Sequence, residues 1–164
     1  MDLYVFLENH QVGYQRFDHP PVYTVAEANR LVPDLPGIHT KNLFLRDKKA
    51  KRFFLLVCRD DRSIKLQQLA RQVGVSKLSL GSSERLLDVL GVEPGSVSIL
   101  ALVNDVKLRV ELVVDGAVWE ANAITAHPLV NTTTLVIQKA DLEHFLQATG
   151  HKPLILDLSE QPSG

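Results

Sequence analysis

The chain has 164 residues, 45% of them hydrophobic, and its 18 Lys and Arg against 19 Asp and Glu leave a formal net charge of −1. That length supports one core of ordinary size, not two, and that charge excludes a whole-molecule field that would draw the protein onto nucleic acid or a membrane, so a polyanionic partner has to be met by a local patch. The lone Cys58 lies inside the apolar run FFLLVC, which excludes an internal disulfide or a cysteine-rich zinc site and reads as a small buried hydrophobe.

In chain order, MDLYVFLENHQ carries Asp2 and Glu8 where a secretory leader would be basic and then apolar. No run approaches the ~18 apolar residues of a membrane span, so a soluble, cytoplasmic protein is expected. Leu3, Phe6 and Leu7 recur at helical spacing, predicting a short helix that ends near Gly13. YQRF reads as a strand broken by the two prolines of HPPVYT, and Thr24 with Glu27 forms a capping-box pattern opening a helix over VAEANRLV. LFLRDKKAKRFFLLV reads as a β-hairpin around a basic turn, followed by an amphipathic helix in SIKLQQLARQVG and another in SERLLDVLG, capped by Ser82 or Ser83 and closed by Gly91. SVSILALVND, VKLRVELVVD and AVWEAN read as consecutive antiparallel strands separated by the turn pairs Asn104-Asp105 and Asp115-Gly116. TTTLVIQ is a further strand, ADLEHFLQAT a helix ended by Gly150, and PLILDL a last strand. These elements predict an α/β fold over residues 1–158, a mixed and largely antiparallel β-sheet, curled or closed into a barrel and covered by helices, with a tail over residues 159–164.

The chain lacks G-x-G-x-x-G, a Walker loop, H-E-x-x-H and a nucleophile elbow, so hydride transfer, nucleotide hydrolysis, zinc proteolysis and serine-hydrolase chemistry lose their usual marks. Six histidines are scattered at 10, 19, 39, 127, 144 and 151 without ligand spacing, and no metal or cofactor is expected. His127 differs from the others because it sits in the polar stretch NAITAHPLVNTTT between two strands, with Pro128 fixing the backbone after it; a site loop and a plain rigid turn both fit. Lys41 shares a strand face with Leu43 and Leu45; it either carries that face into a pocket mouth or snorkels out at the edge. Asn42 falls on the opposite face with Phe44 unless the strand is bulged there. The turn RDKKAKR, with Arg46, Lys48, Lys49, Lys51 and Arg52, is either a solvated hairpin tip or a phosphate contact.

Taken together, HPPVYTVAEA, HTKNLFL with Lys41-Asn42, LGVEPGSVSILALVND and HPLVNTTTL resemble, in order and spacing, the YbaK/ProX family of aminoacyl-tRNA deacylases, relatives of the editing domain of bacterial prolyl-tRNA synthetases. The resemblance covers nearly the whole chain and is strongest to the ProX branch, which acts on alanyl-tRNA(Pro). It implies hydrolysis of a mischarged aminoacyl-tRNA, with Lys41 and His127 in the catalytic pocket and Asn42, Ser98, Pro128 and Asn131 as substrate contacts. Arg46, Lys48, Lys49, Lys51 and Arg52 would then meet the tRNA, and prolyl-tRNA synthetase is a further partner that the resemblance suggests. Two departures stand out: Ile99-Leu100 follows Ser98 where the family commonly has Pro-Phe, and no glycine occurs between Gly116 and Gly150 in the region of the pocket loop. A deacylase for another small aminoacyl-tRNA, cysteinyl or seryl, and a non-catalytic module binding a tRNA end or a synthetase stay open beside this reading, as does the oligomeric state.

Overall fold

Asp2 starts the first helix by accepting hydrogen bonds from the backbone N–H groups of Tyr4 and Val5, and α1 (Leu3–Asn9) then turns Leu3 and Leu7 inward. The computed structural model describes residues 2–21, 24, 26, 27, 30 and 35–159. After α1 come β1 (Gln15–Asp18), β2 (Thr40–Asp47), β3 (Phe53–Arg59), α2 (Leu66–Val73), β4 (Leu78–Leu80) and α3 (Ser83–Leu90). A 3-10 helix (Ile99–Asn104) leads to β5 (Val110–Asp115), the short α4 (Gly116–Trp119), β6 (Ala123–Ala126), β7 (Thr133–Gln138), α5 (Lys139–Thr149) and β8 (Leu154–Leu156). The capping box predicted at the second helix is present, with Thr24 Oγ1 accepting from the Glu27 N–H at 3.0 Å; most of that predicted helix, and residues 160–164 of the predicted tail, lie outside the described residues.

The strands form two sheets, an antiparallel one of order β1-β7-β6 and a mixed one of order β4-β2-β3-β5-β8. β2 and β3 make the predicted hairpin, pairing without interruption from Thr40 opposite Arg59 to Arg46 opposite Phe53. No bulge therefore interrupts β2, and Asn42 does face away from Lys41. The central strands of the five-stranded sheet are buried on both sides. Phe44, Leu55, Val57, Leu112 and Val114 face the main core together with the 3-10 helix, α5 and the three-stranded sheet, while Leu45, Phe54, Leu56 and Val113 face Leu69 and Ala70 of α2.

The second half departs from the run of antiparallel strands predicted for it. Ile99–Asn104 is a 3-10 helix because Ser98 caps it, accepting from the Leu100 N–H at 3.1 Å, and because all of Ile99 to Val103 is buried, a uniformly apolar run that suits several backbones. β5 lies parallel to β3, and β8 parallel to β5, as strands covered on both faces commonly do. Asp115-Gly116 is not a hairpin turn: the Asp115 carboxylate caps α4 by accepting from the Ala117 N–H at 3.1 Å. Among the described residues no helix is long and apolar enough to cross a membrane.

Candidate active site

The two sheets meet where the chain entering β2 runs beside β6. Ile38 forms a parallel bridge with Ile124, donating to the Ala123 carbonyl at 2.9 Å and accepting from the Thr125 N–H at 3.0 Å, and Thr40 Oγ1 donates to the Thr125 carbonyl at 2.8 Å. The backbone pairing is confined to this one bridge, and Lys41 and His127 each follow it by three residues on their own segments. Ile38 and Ile124 both pack on the main core, so strand alternation assigns Lys41 and His127 to the other face. The bridge thus joins segments far apart in the chain.

Further along, the same edge of β2 is taken by β4, from Leu45 to Asp47. Between the two neighbours no strand pairs with this edge of β2 among the described residues. The Phe44 carbonyl accepts from the Gly81 N–H on the β4 side, and in an antiparallel pair the residues two apart direct their peptide groups alike. The Asn42 N–H and C=O therefore point out of this edge. The Asn42 side-chain oxygen is enclosed and has no hydrogen-bond partner among the described residues, which costs stability and is typical of a functional position.

Lys41 is half-buried, stands opposite Cys58, and donates from Nζ to the Arg62 carbonyl. The Arg62 side chain in turn pairs with the buried Asp115 at 3.0 Å. Burial pushes the Cys58 thiol up to about 12, so no thiolate is available beside the lysine.

His127 lies at the start of the loop joining β6 to β7. Its Nδ1–H donates to the Thr133 carbonyl at 3.2 Å, which leaves Nε2 with its lone pair in the neutral ring. Burial holds the imidazole below its ordinary range, opposed by the Thr133 bond and assisted by the neighbouring His19. On sequence His19 does not stand out from the other scattered histidines, yet its ring stands edge-to-face with that of His127, centroids 6.4 Å apart. Its Nδ1–H donates to the Pro20 carbonyl at 2.8 Å and its Nε2 lies 2.7 Å from Thr134 Oγ1. The available signal was HPPV itself, a histidine fixed by two prolines just after a strand. Pro128 is buried, and Leu129 packs on the main core with φ 69°, a conformation that ordinarily favours glycine. This is the loop in which the sequence lacks one.

The remaining predicted contacts are dispersed. Ser98 is buried as the cap of the 3-10 helix, and Asn131 lies at the far side of the His127 loop. Arg46 folds back onto the carbonyls of Asp47 and Lys48, and Arg52 makes two bonds to Glu111, at 2.8 and 2.7 Å, over the ring of Phe54. Arg46 thus folds onto the turn itself, and Arg52 ties the hairpin to β5. Lys48, Lys49 and Lys51 are exposed and have no ion pair among the described residues. No group of three or more His, Cys, Asp or Glu that could hold a metal ion occurs among the described residues.

The model of the aminoacyl-tRNA editing domain matches residues 19–145. The chain is 40% identical over 157 residues to prolyl-tRNA synthetase associated domain-containing protein 1 of Danio rerio, covering 94% of this chain and 85% of that protein. It is 34% identical over 145 residues to the prolyl-tRNA editing protein ProX of Acetoanaerobium sticklandii, covering 88% of each. Its fold matches, with a TM-score of 0.72 and 19% identity over 98% of this chain and 96% of the other, a crystal structure described as a candidate trans-editing enzyme for prolyl tRNA synthetase. The match that begins at His19 and runs through both Lys41 and His127 shows that the chain belongs to the aminoacyl-tRNA editing domain family, the trans-editing deacylases.

Proposed function

We propose that this protein hydrolyses the ester of mischarged tRNA(Pro) in the cytoplasm, removing alanine, and that Lys41 and His127 face the bound aminoacyl end. The observation that supports this reading is the bridge between Ile38 and Ile124, which joins the chain three residues before Lys41 to the strand three residues before His127. An aminoacyl ester is already activated, so positioning it against a water and stabilising the developing oxyanion suffices, without a protein nucleophile. Lys41 releases the Arg62 carbonyl to meet the terminal phosphate or the ester oxygen. The Asn42 N–H is a second oxyanion donor. The neutral Nε2 of His127 orients the water or a ribose hydroxyl, and the 127–132 loop, with Pro128 and Asn131, closes the pocket around a small side chain. A prolyl site rejects a smaller amino acid by only ~1–3 kcal/mol per methylene, which is why a second, smaller site is useful.

Incubation of the purified protein with tRNAs mischarged with alanine, cysteine or serine tests the assignment. Alanyl-tRNA(Pro) is expected to be deacylated fastest. Preference for the cysteinyl or seryl ester would move the specificity, and binding without hydrolysis would replace the enzyme by a tRNA-end binding module. Co-purification with prolyl-tRNA synthetase, through an interface separate from the pocket, is the corresponding expectation for a protein partner.

A further inference from the structure

We propose that His19 is a positioning residue of the editing site, acting through His127 rather than on the substrate. This inference rests on the reading of His127 as part of the pocket. Three connections converge on the 127–134 segment from His19 alone. Its backbone N–H donates to the Thr132 carbonyl at 2.9 Å, its Nε2 is 2.7 Å from the Thr134 hydroxyl, and its ring meets the edge of the His127 ring at 6.4 Å.

The hydrogen-bond directions give these contacts a definite sense. A carbonyl can only accept, so the 2.8 Å contact to Pro20 fixes the proton of His19 on Nδ1 and leaves Nε2 of the neutral ring to accept from Thr134 Oγ1–H. His19 is thereby oriented at both nitrogens. The adjacent residue Thr133 carries the carbonyl that orients His127, and its own hydroxyl donates to Asp18 at 2.9 Å, next to His19. Asp18 and His19 of β1 and its extension therefore grip, one after the other, Thr133 and Thr134 of β7. The grip sets where the Thr133 carbonyl stands, and that carbonyl selects the His127 tautomer. A two-proline segment that fixes His19 from its C-terminal side is consistent with a ring that must not swing.

The test is a double-mutant cycle on deacylation with a minimal aminoacyl-adenosine substrate, which reports on the pocket without tRNA docking. His19→Ala is expected to lower kcat roughly tenfold with KM little changed, the scale of effect of a small misplacement at a reacting centre. His19→Gln keeps an acceptor for the Thr134 hydroxyl and should recover most of the rate. Thr134→Val removes that hydroxyl at nearly constant volume and should reproduce the loss, which keeps the test valid if His19→Ala folds poorly. In a His127→Ala background, His19→Ala should cost little more, because a residue that acts through His127 has nothing left to position. A wild-type rate for both His19→Ala and Thr134→Val, or losses that multiply independently with His127→Ala, would overturn the proposal while leaving the pocket reading intact. A wild-type rate for His127→Ala would overturn both.

Discussion

Three side chains at the mouth of the site make separable claims. Lys41→Ala should remove most deacylation and leave the thermal midpoint nearly unchanged, because the lost bond is to one carbonyl at a half-exposed position. Lys41→Arg should recover little, since a planar fork does not replace a compact ammonium. A wild-type rate in Lys41→Ala would remove the lysine from the site. His127 carries a pH claim. Its depressed pKa means that the folded protein holds the ring neutral where the unfolded chain already binds a proton, so its contribution to stability is full above the ordinary histidine pKa and is lost as pH falls through the lower folded value. Activity that needs the free Nε2 should fall over the same acidic window and be flat above it; in His127→Ala that acid limb should disappear from the pH–rate profile. Asn42 poses stability against function. Replacing it by Leu, of similar shape, removes an enclosed oxygen without a partner and should raise stability by up to ~1 kcal/mol in urea unfolding while lowering the deacylation rate. Loss of stability instead would show that the polar group is satisfied in solution.

Among the elements, the loop 127–132 is where local preference and structure disagree. Leu129 holds φ 69° and packs its side chain on the main core. Leu129→Gly and Leu129→Ala both forfeit that packing, but glycine alone takes the backbone without strain, so the glycine variant should be the more stable of the two by about 0.5–1 kcal/mol. The reverse order in denaturant midpoints would mean that the loop relaxes to another conformation. The elements that were legible in the sequence share this dependence on local signals. α3 and α5 end at Gly91 and Gly150 with φ 68° and 86°, and β2 and β3 are short apolar runs on either side of a charged turn. What was illegible lacked a period or depended on distant partners. Ile99 to Val103 is apolar throughout, and β5 owes its parallel pairing to β3, far from it in the chain. At the site, Lys41, Asn42 and His127 stood out because polar residues flanked apolar strands. His19 did not, because its partners Thr134 and His127 reach it only through the pairing of β1 with β7.

For the whole molecule, a net charge of −1 leaves tRNA affinity to a few local contacts. The hairpin tip supplies three lysines that make no ion pair among the described residues, whereas Arg46 and Arg52 are already engaged. Six residues separate Asn42 from Lys48 along the strand, roughly 20 Å at the rise of an extended chain, so charges at the tip would meet an acceptor stem away from the ester. Neutralising Lys48, Lys49 and Lys51 together should weaken binding of full-length tRNA and flatten its salt dependence, each lost phosphate contact removing about 0.7–0.9 from the log–log slope. Hydrolysis of aminoacyl-adenosine should be unaffected. An unchanged slope would return the tip to a solvated turn. Arg52→Ala should act differently, destabilising the sheet through Glu111 and Phe54 without changing the slope.

The pairing of β1 with β7 also bears on when the enzyme comes into being. Gln15 to Asp18 find their partners at Thr133 to Val136, and His19 bonds to Thr134 across 115 positions. The β2–β3 hairpin can close as soon as it leaves the ribosome, but β6, which leads to His127 and bridges Ile38, joins β1 only through β7, so that wall is complete only when β7 has been made. Loop closure over such a span is entropically slow. A nascent or truncated chain that lacks β7 would therefore present the lysine strand and the basic tip without the complete wall, so a molecule that edits charged tRNA acquires that capacity only once β7 has been made.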